Sequence, residues 1–148
     1  MSFSDSQKWI VLFGAVLFLL GLLQGGVVQS FHNPRMALSA HLTAVQGGTA
    51  VMVAGAVWSA VLLGPWFDRL ARWLIIVSMY VLWLGLTAAA ATGASEVLPI
   101  AGEGYSASVA IERMVSVAIL GASKMMILGW TLVVIGVFRS IRAPRVFS

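Results

Sequence analysis

Four stretches of this chain run for about twenty residues each with almost no charge, and that one feature limits it more than any motif does. A bilayer hydrocarbon core roughly 30 Å thick is crossed by about 20 apolar residues in helical form. The stretches are Trp9 to Val28, about Leu42 to Leu63, about Trp73 to Thr92 and about Met114 to Phe138. Backbone polar groups left open in lipid cost several kcal/mol each, so the segments must pair their own backbones. They are too long and too evenly apolar for barrel strands, whose mark is short alternation. The expected fold is an all-α integral membrane protein, a bundle of four transmembrane helices forming one domain over residues 1–148.

Composition agrees, with 60% hydrophobic and 9% charged residues and a mean hydropathy of +0.98. A wetted surface would need about a quarter of its residues charged. The net charge of +4 does not indicate nucleic acid, because the basic residues flank apolar spans and form no run. Lys8, Arg69, Arg72, Arg139, Arg142 and Arg145 fall on one side of the expected topology, and Arg35 and Arg113 on the other. The positive-inside rule then puts both termini in the cytoplasm of a bacterial-type inner membrane. The first span lacks a cleavage site followed by a hydrophilic mature chain, and reads as a retained anchor. Turn chemistry separates the spans: Asn33-Pro34, Gly64-Pro65, and Pro99 with Gly102 and Gly104. The third connection is the longest and is expected to fold over one face of the bundle.

Polar residues inside such spans are expensive, so the exceptions are where function is sought. They are Gln24, His41, Gln46, Tyr80, Thr87, Glu112, Arg113 and Lys124. His41 stands out, because neutral imidazole is the commonest protein ligand for transition metals and for haem iron. It is placed at the opening of the second helix. Below it at helical spacing lie Ala44, Gly48, Met52 and Gly55, a small face on which a flat macrocycle could rest. The same small face also suits close helix packing, as do Gly21-x-x-x-Gly25 and Gly55-x-x-x-Ser59. Both alternatives stand on the residues alone. Lys124 could hold an anion or a haem propionate, or else snorkel or pair with a neighbouring subunit. Glu112-Arg113 could be an acid/base or gating pair, or an interfacial anchor. Trp83 and Tyr80 lie deep enough to line an aromatic pocket or simply to pack.

Cysteine is absent, which excludes disulfides, thiolate zinc and covalent haem attachment. There is no Ser/His/Asp grouping, HExxH or phosphate loop.

The segment Phe31-His32-Asn33-Pro34-Arg35-Met36-Ala37-Leu38-Ser39-Ala40-His41-Leu42 resembles the signature of the hydroxylaminobenzene mutase family, whose relatives include the styrene oxide isomerases. In that family an Asn-Pro-Arg-Met loop leads into a Ser-x-His-Leu start of the second transmembrane helix. Weaker support comes from the four spans, the chain length, Thr92-Gly93, Pro99-Ile100-Ala101-Gly102 and Glu112. The resemblance implies a small membrane isomerase and, through the styrene oxide isomerases, a homo-oligomer, a trimer with haem b at subunit interfaces. The helix-two histidine, here His41, is then the axial ligand of the iron. It also implies Lewis-acid chemistry within one molecule, acting on a small aromatic substrate such as an arylhydroxylamine converted to an aminophenol. An epoxide isomerase and a non-catalytic haem-binding or electron-transfer subunit are the alternatives. The family carries an acidic residue two positions after the histidine and an Asn six after, where this chain has Thr43 and Gly47. Gln46, Tyr80 and Trp83 are the candidate pocket residues, and Asn33, Arg35 and Gly48 the candidates beside His41 for holding the cofactor.

Overall fold

The computed structural model describes residues 3–142; Met1, Ser2 and residues 143–148, Arg145 among them, lie outside that range. Four long helices make up the chain: α1 (Asp5–Gly25), α2 (Pro34–Ala56), α3 (Pro65–Thr92) and α4 (Val109–Arg142). Single 3-10 turns follow α1 (Val28–Ser30) and α2 (Trp58–Ala60).

The helix starts follow local chemistry. Ser4 and Gln7 form a reciprocal capping box that satisfies two free amides at the head of α1. Asn33 caps α2, its Oδ1 accepting from the Met36 amide at 3.1 Å, and Pro34 sits at the first helical position, where its missing N–H costs nothing. Pro65 plays the same part in α3, which ends at Gly93 in the left-handed conformation (φ 82°).

α1, α3 and α4 are long and apolar enough to cross a membrane. At about 1.5 Å per residue, the 21 residues of α1 span roughly 31 Å. α2 has 23 residues, but its polar content (Arg35, Ser39, His41, Thr43, Gln46, Thr49) keeps it out of that group. The four apolar stretches thus become four helices, of which three qualify as spans by length and composition.

The second helix also departs from its expected limits. It begins at Pro34 rather than near Leu42 and ends at Ala56 rather than Leu63, because the Asn33-Pro34 cap starts the helix well before its apolar part. His41 is therefore about two turns inside α2, not at its opening.

Two antiparallel hairpins, α1 with α2 and α3 with α4, pack through the α2–α3 contact. Glycines bring the paired helices together. A methyl group built on Gly48 would lie 2.5 Å from the Phe18 amide nitrogen and 2.7 Å from the Gly14 carbonyl. Gly85 meets Ile119, and Gly129 meets Ile75. The core runs along the α2–α3 seam, from Val51, Ile75 and Met79 at one end to Met36, Ala40 and Ala89 at the other. Large apolar side chains cover the outside, including Leu23, Met114, Val117 and Ile127, each more than 60% exposed. Such a surface suits lipid and would be costly in water. The protein is a multi-pass membrane protein.

The long connection after α3 does fold over one end of the bundle. The Glu112 carboxylate accepts from the amides of Ser95, Glu96 and Ala107 at 3.0–3.1 Å, gathering the loop onto the head of α4.

Candidate functional site

His41 is half-buried, and its ring lies on the backbone of α1. Nδ1 sits 2.7 Å from the carbonyl oxygen of Gly21. A carbonyl can only accept, so Nδ1 donates its proton there, and a ring that carries its one proton on Nδ1 has its lone pair on Nε2. A hydrogen bond of this kind from the far ring nitrogen to a backbone carbonyl is what fixes tautomer and ring orientation where a histidine ligates a metal. One turn further on, Gly25 supplies the space. A methyl group there would stand 2.8 Å from Cε1 and 2.9 Å from Nδ1, so any side chain larger than hydrogen would displace the imidazole. Gly21-x-x-x-Gly25 was legible as a packing motif; its use as a seat for His41 was not.

The imidazole lines a cleft of about 390 Å³ with Gly26, Gln29, Pro34, Arg35 and Leu38. Arg35 leans over its rim, donating to the Glu103 carbonyl and standing 3.8 Å from the Glu103 carboxylate. Asn33 is fully buried and takes no part in the cleft. Its amide nitrogen donates to Ala101 O at 2.9 Å and its backbone N–H to Ala90 O at 2.9 Å, so it locks the outer loop onto the α2 cap.

The small face below His41 is occupied. Ala44, Gly48 and Gly55 pack on α1, with Gly48 against Phe18 and Gly14, and Gly55 against Val11 and Ile10. Of the two alternatives for that face, the geometry takes helix packing, and Gly48 has no room beside it for a macrocycle. The open side of the histidine is the cleft toward Arg35 and Leu38 instead.

The remaining candidates are spread over other faces. Gln46 is exposed on the outer surface of α2, about 140° around the helix from His41. Tyr80 is half-buried, its hydroxyl donating to the Phe13 carbonyl at 2.8 Å. Trp83 donates from its indole nitrogen to Gln24 Oε1 at 2.6 Å, and Gln24 donates in turn to Thr87 Oγ1 at 3.0 Å. That relay between α1 and α3 is not legible as a unit in the sequence, where Gln24 and Thr87 stand out as polar residues in apolar spans and Trp83 only as a deep aromatic. Gly47, where the family has Asn, lies buried with Met79 Sδ where a side chain would begin. One chain does not gather His41, Gln46, Tyr80 and Trp83 into one pocket. Lys124 is exposed on α4 and has no ion-pair partner among the described residues.

Among the described residues no three His, Cys, Asp or Glu side chains converge on a point that could hold a bare metal ion. A single imidazole nitrogen beside an open cleft suits a metal that brings its other ligands with it, as iron in a porphyrin does.

The profile of the styrene oxide isomerase family matches residues 6–138. Hydroxylaminobenzene mutase HabA of Ectopseudomonas oleovorans is 32% identical over 134 residues, 90% of this chain and 99% of the relative. Hydroxylaminobenzene mutase HabB of the same organism is 33% identical over 115 residues, 77% of this chain and 70% of that one. No solved structure matches the chain. With the profile reaching from the head of α1 to near the end of α4, and a relative aligned over nine-tenths of its length, this chain belongs to the styrene oxide isomerase family.

Proposed function

We propose that this intramolecular isomerase rearranges an arylhydroxylamine to an aminophenol at haem b ligated by Nε2 of His41. The observation that carries the reading is the 2.7 Å contact between His41 Nδ1 and Gly21 O, which leaves one imidazole lone pair aimed away from the helix that holds it. The residues fit the group: an oriented nitrogen donor, a cleft of about 390 Å³ and an arginine at its rim for a propionate. When bound, haem iron supplies a Lewis acid that polarises the substrate's N–O or C–O bond.

The chain's own part is binding and orientation. Gly21 holds the proton on Nδ1 and fixes the orientation of the ring. Gly25 and Gly26 keep α1 low beneath the imidazole, and Leu38 gives the cleft an apolar wall for an aromatic ring. In the rearrangement the N–O bond breaks, a C–O bond forms on the ring and a ring proton moves to the nitrogen or oxygen. Product and substrate are isomers, so no external electrons are consumed. Apolar surroundings admit a substrate that partitions into lipid and keep water from the reactive product.

A second copy of the chain completes the site. The cleft is open on its outer side, and Gln46 is exposed at hydrocarbon depth, where an unpartnered amide is costly. A homo-oligomer, a trimer by family resemblance, would cover both, with Gln46 and Trp83 the residues offered to the pocket, while Tyr80 stays on the α1–α3 seam. α2 is then the fourth span, its polar residues shielded by α1 and by the neighbouring copy. The excess of Lys and Arg at the Lys8, Arg69, Arg72 and Arg139 end supports cytoplasmic termini in a bacterial-type inner membrane.

Epoxide isomerisation is the second reading, favoured by the family profile itself. The Asn33-Pro34-Arg35-Met36 loop weighs toward the hydroxylamine. Purified protein is expected to convert phenylhydroxylamine to an aminophenol anaerobically without added reductant, and to turn over styrene oxide far more slowly. Conversion of styrene oxide to phenylacetaldehyde at the higher kcat/KM would select the second reading. Turnover that stops without an electron donor would contradict both.

A further inference from the structure

α1 is drawn onto α2 by its glycines but is held off α3 by aromatic side chains. Phe13 and Trp73 meet at 6.0 Å between ring centroids, and Phe13 and Tyr80 at 6.5 Å edge-on. The result is a wedge-shaped seam on the lipid side of α1 and α3, far from His41. Toward the α1 N-terminus it opens as a cleft of about 540 Å³ walled by Trp9, Arg69 and Arg72. Deeper in, it continues past Phe13, Trp73 and Ile76 as a cleft of about 440 Å³ walled by Val16, Val77 and Val81. A cationic mouth thus leads into an apolar slot that runs along the bilayer depth.

The charges at the mouth are unevenly matched. Arg72 pairs with Asp68 at 2.6 Å, and the Asp68 carboxylate also accepts from the Trp58 indole at 2.8 Å. Lys8 pairs with Asp5 at 3.0 Å. Arg69 is exposed and has no carboxylate partner among the described residues. Trp9 and Trp73 are also exposed, at the level that interfacial aromatics occupy beside lipid headgroups.

We infer that this seam is a specific site for an anionic phospholipid, with the phosphate at the Arg69 guanidinium and one acyl chain in the slot between α1 and α3. Charge complementarity selects the headgroup, because Arg69, the one cation of the cleft without a carboxylate partner among the described residues, stands at its mouth. The slot is lined only by apolar and aromatic side chains and faces the bilayer, so it takes a hydrocarbon chain and not water. The Tyr80 hydroxyl, spent on the Phe13 carbonyl, presents no free donor to it.

Native mass spectrometry after stepwise delipidation, with defined mixtures of phosphatidylglycerol and phosphatidylcholine, reads this directly. Wild-type protein is expected to retain phosphatidylglycerol about fivefold over phosphatidylcholine, the preference one basic residue near an anionic headgroup confers. Arg69→Gln should abolish that preference with no change in thermal stability, because the side chain is exposed. Val16→Trp, which fills the slot, should lower retention of both lipids. Equal retention of the two lipids by wild-type protein, or an Arg69→Gln variant that keeps the preference, would overturn the assignment.

Discussion

Replacing His41 by Ala is expected to remove the Soret absorption of the purified protein and to lower turnover by about 10³-fold or more. Lewis-acid polarisation is worth several kcal/mol of transition-state stabilisation, and each 1.36 kcal/mol is tenfold in rate. The loss should be chemical, not structural. His41 lies half-buried at the edge of the α1–α2 contact, and the core on either side of it is made by other residues, such as Met36, Ala40 and Ala44. Thermal unfolding in detergent should therefore change little. His41→Gly gives a sharper readout, since it leaves a hole that free imidazole can enter. Added imidazole should restore the absorption band and part of the activity. A variant that keeps full haem, or one that loses haem only because it no longer folds, would remove His41 from its assigned place.

The second large effect concerns the packing that presents the histidine. Gly48→Ala places a methyl group 2.5 Å from the Phe18 amide nitrogen and 2.7 Å from the Gly14 carbonyl. Both are backbone atoms, which cannot swing aside as a flexible side chain would, so α1 must move off α2. Overpacking of a tight core costs about 1–3 kcal/mol and occasionally more, and a backbone clash belongs at the upper end of that range. The displacement would also carry Gly21 and Gly25 away from the imidazole, so haem content should fall together with stability. Gly121→Ala is the matched control. A methyl group there meets nothing within 4 Å, and alanine is the better helix former. It should be neutral or slightly stabilising. If both substitutions have the same effect, the α1–α2 contact is not what organises the site.

How far the residues foretell this arrangement depends on what kind of information each feature needs. The four apolar stretches are legible because crossing hydrocarbon is a matter of length and hydropathy alone. Their limits are not. Hydropathy marks the part of a helix that lipid can cover, whereas Asn33 and Pro34 start α2 outside it, which moved His41 from the mouth of the helix to its interior. The small face at Ala44, Gly48 and Gly55 was visible as a pattern, but a pattern of small residues does not say whether a helix or a ligand fills it; α1 does.

Polar residues that act across the fold were the least legible. Gln7 donates to the Gly55 carbonyl at 3.3 Å, and so serves the free C-terminal carbonyls of α2 from forty-eight residues away. Glu112 was read with its neighbour Arg113, yet its carboxylate is committed to three backbone amides of the preceding loop. Asn33 is a candidate for holding the cofactor on the sequence alone, and its bonds go instead to the α2 cap and the loop. In each case the residue type announced an unmet hydrogen-bonding need, and only the placement of another element showed where it is met.

The placement of Gly21 and Gly25 beneath the imidazole ties these points together. The glycine spacing on α1 and the histidine on α2 are twenty residues or fewer apart in sequence, and their meeting depends on the register of two helices. That register is set by Gly14, Gly21 and Gly48, and it brings Nδ1 onto the Gly21 carbonyl while the imidazole lines the cleft.

The most direct test is to measure haem, iron and turnover together on wild-type protein purified in mild detergent. The account predicts a coloured protein whose haem b content tracks its specific activity from one preparation to the next. A colourless, iron-free preparation that rearranges its substrate at the full rate would contradict it.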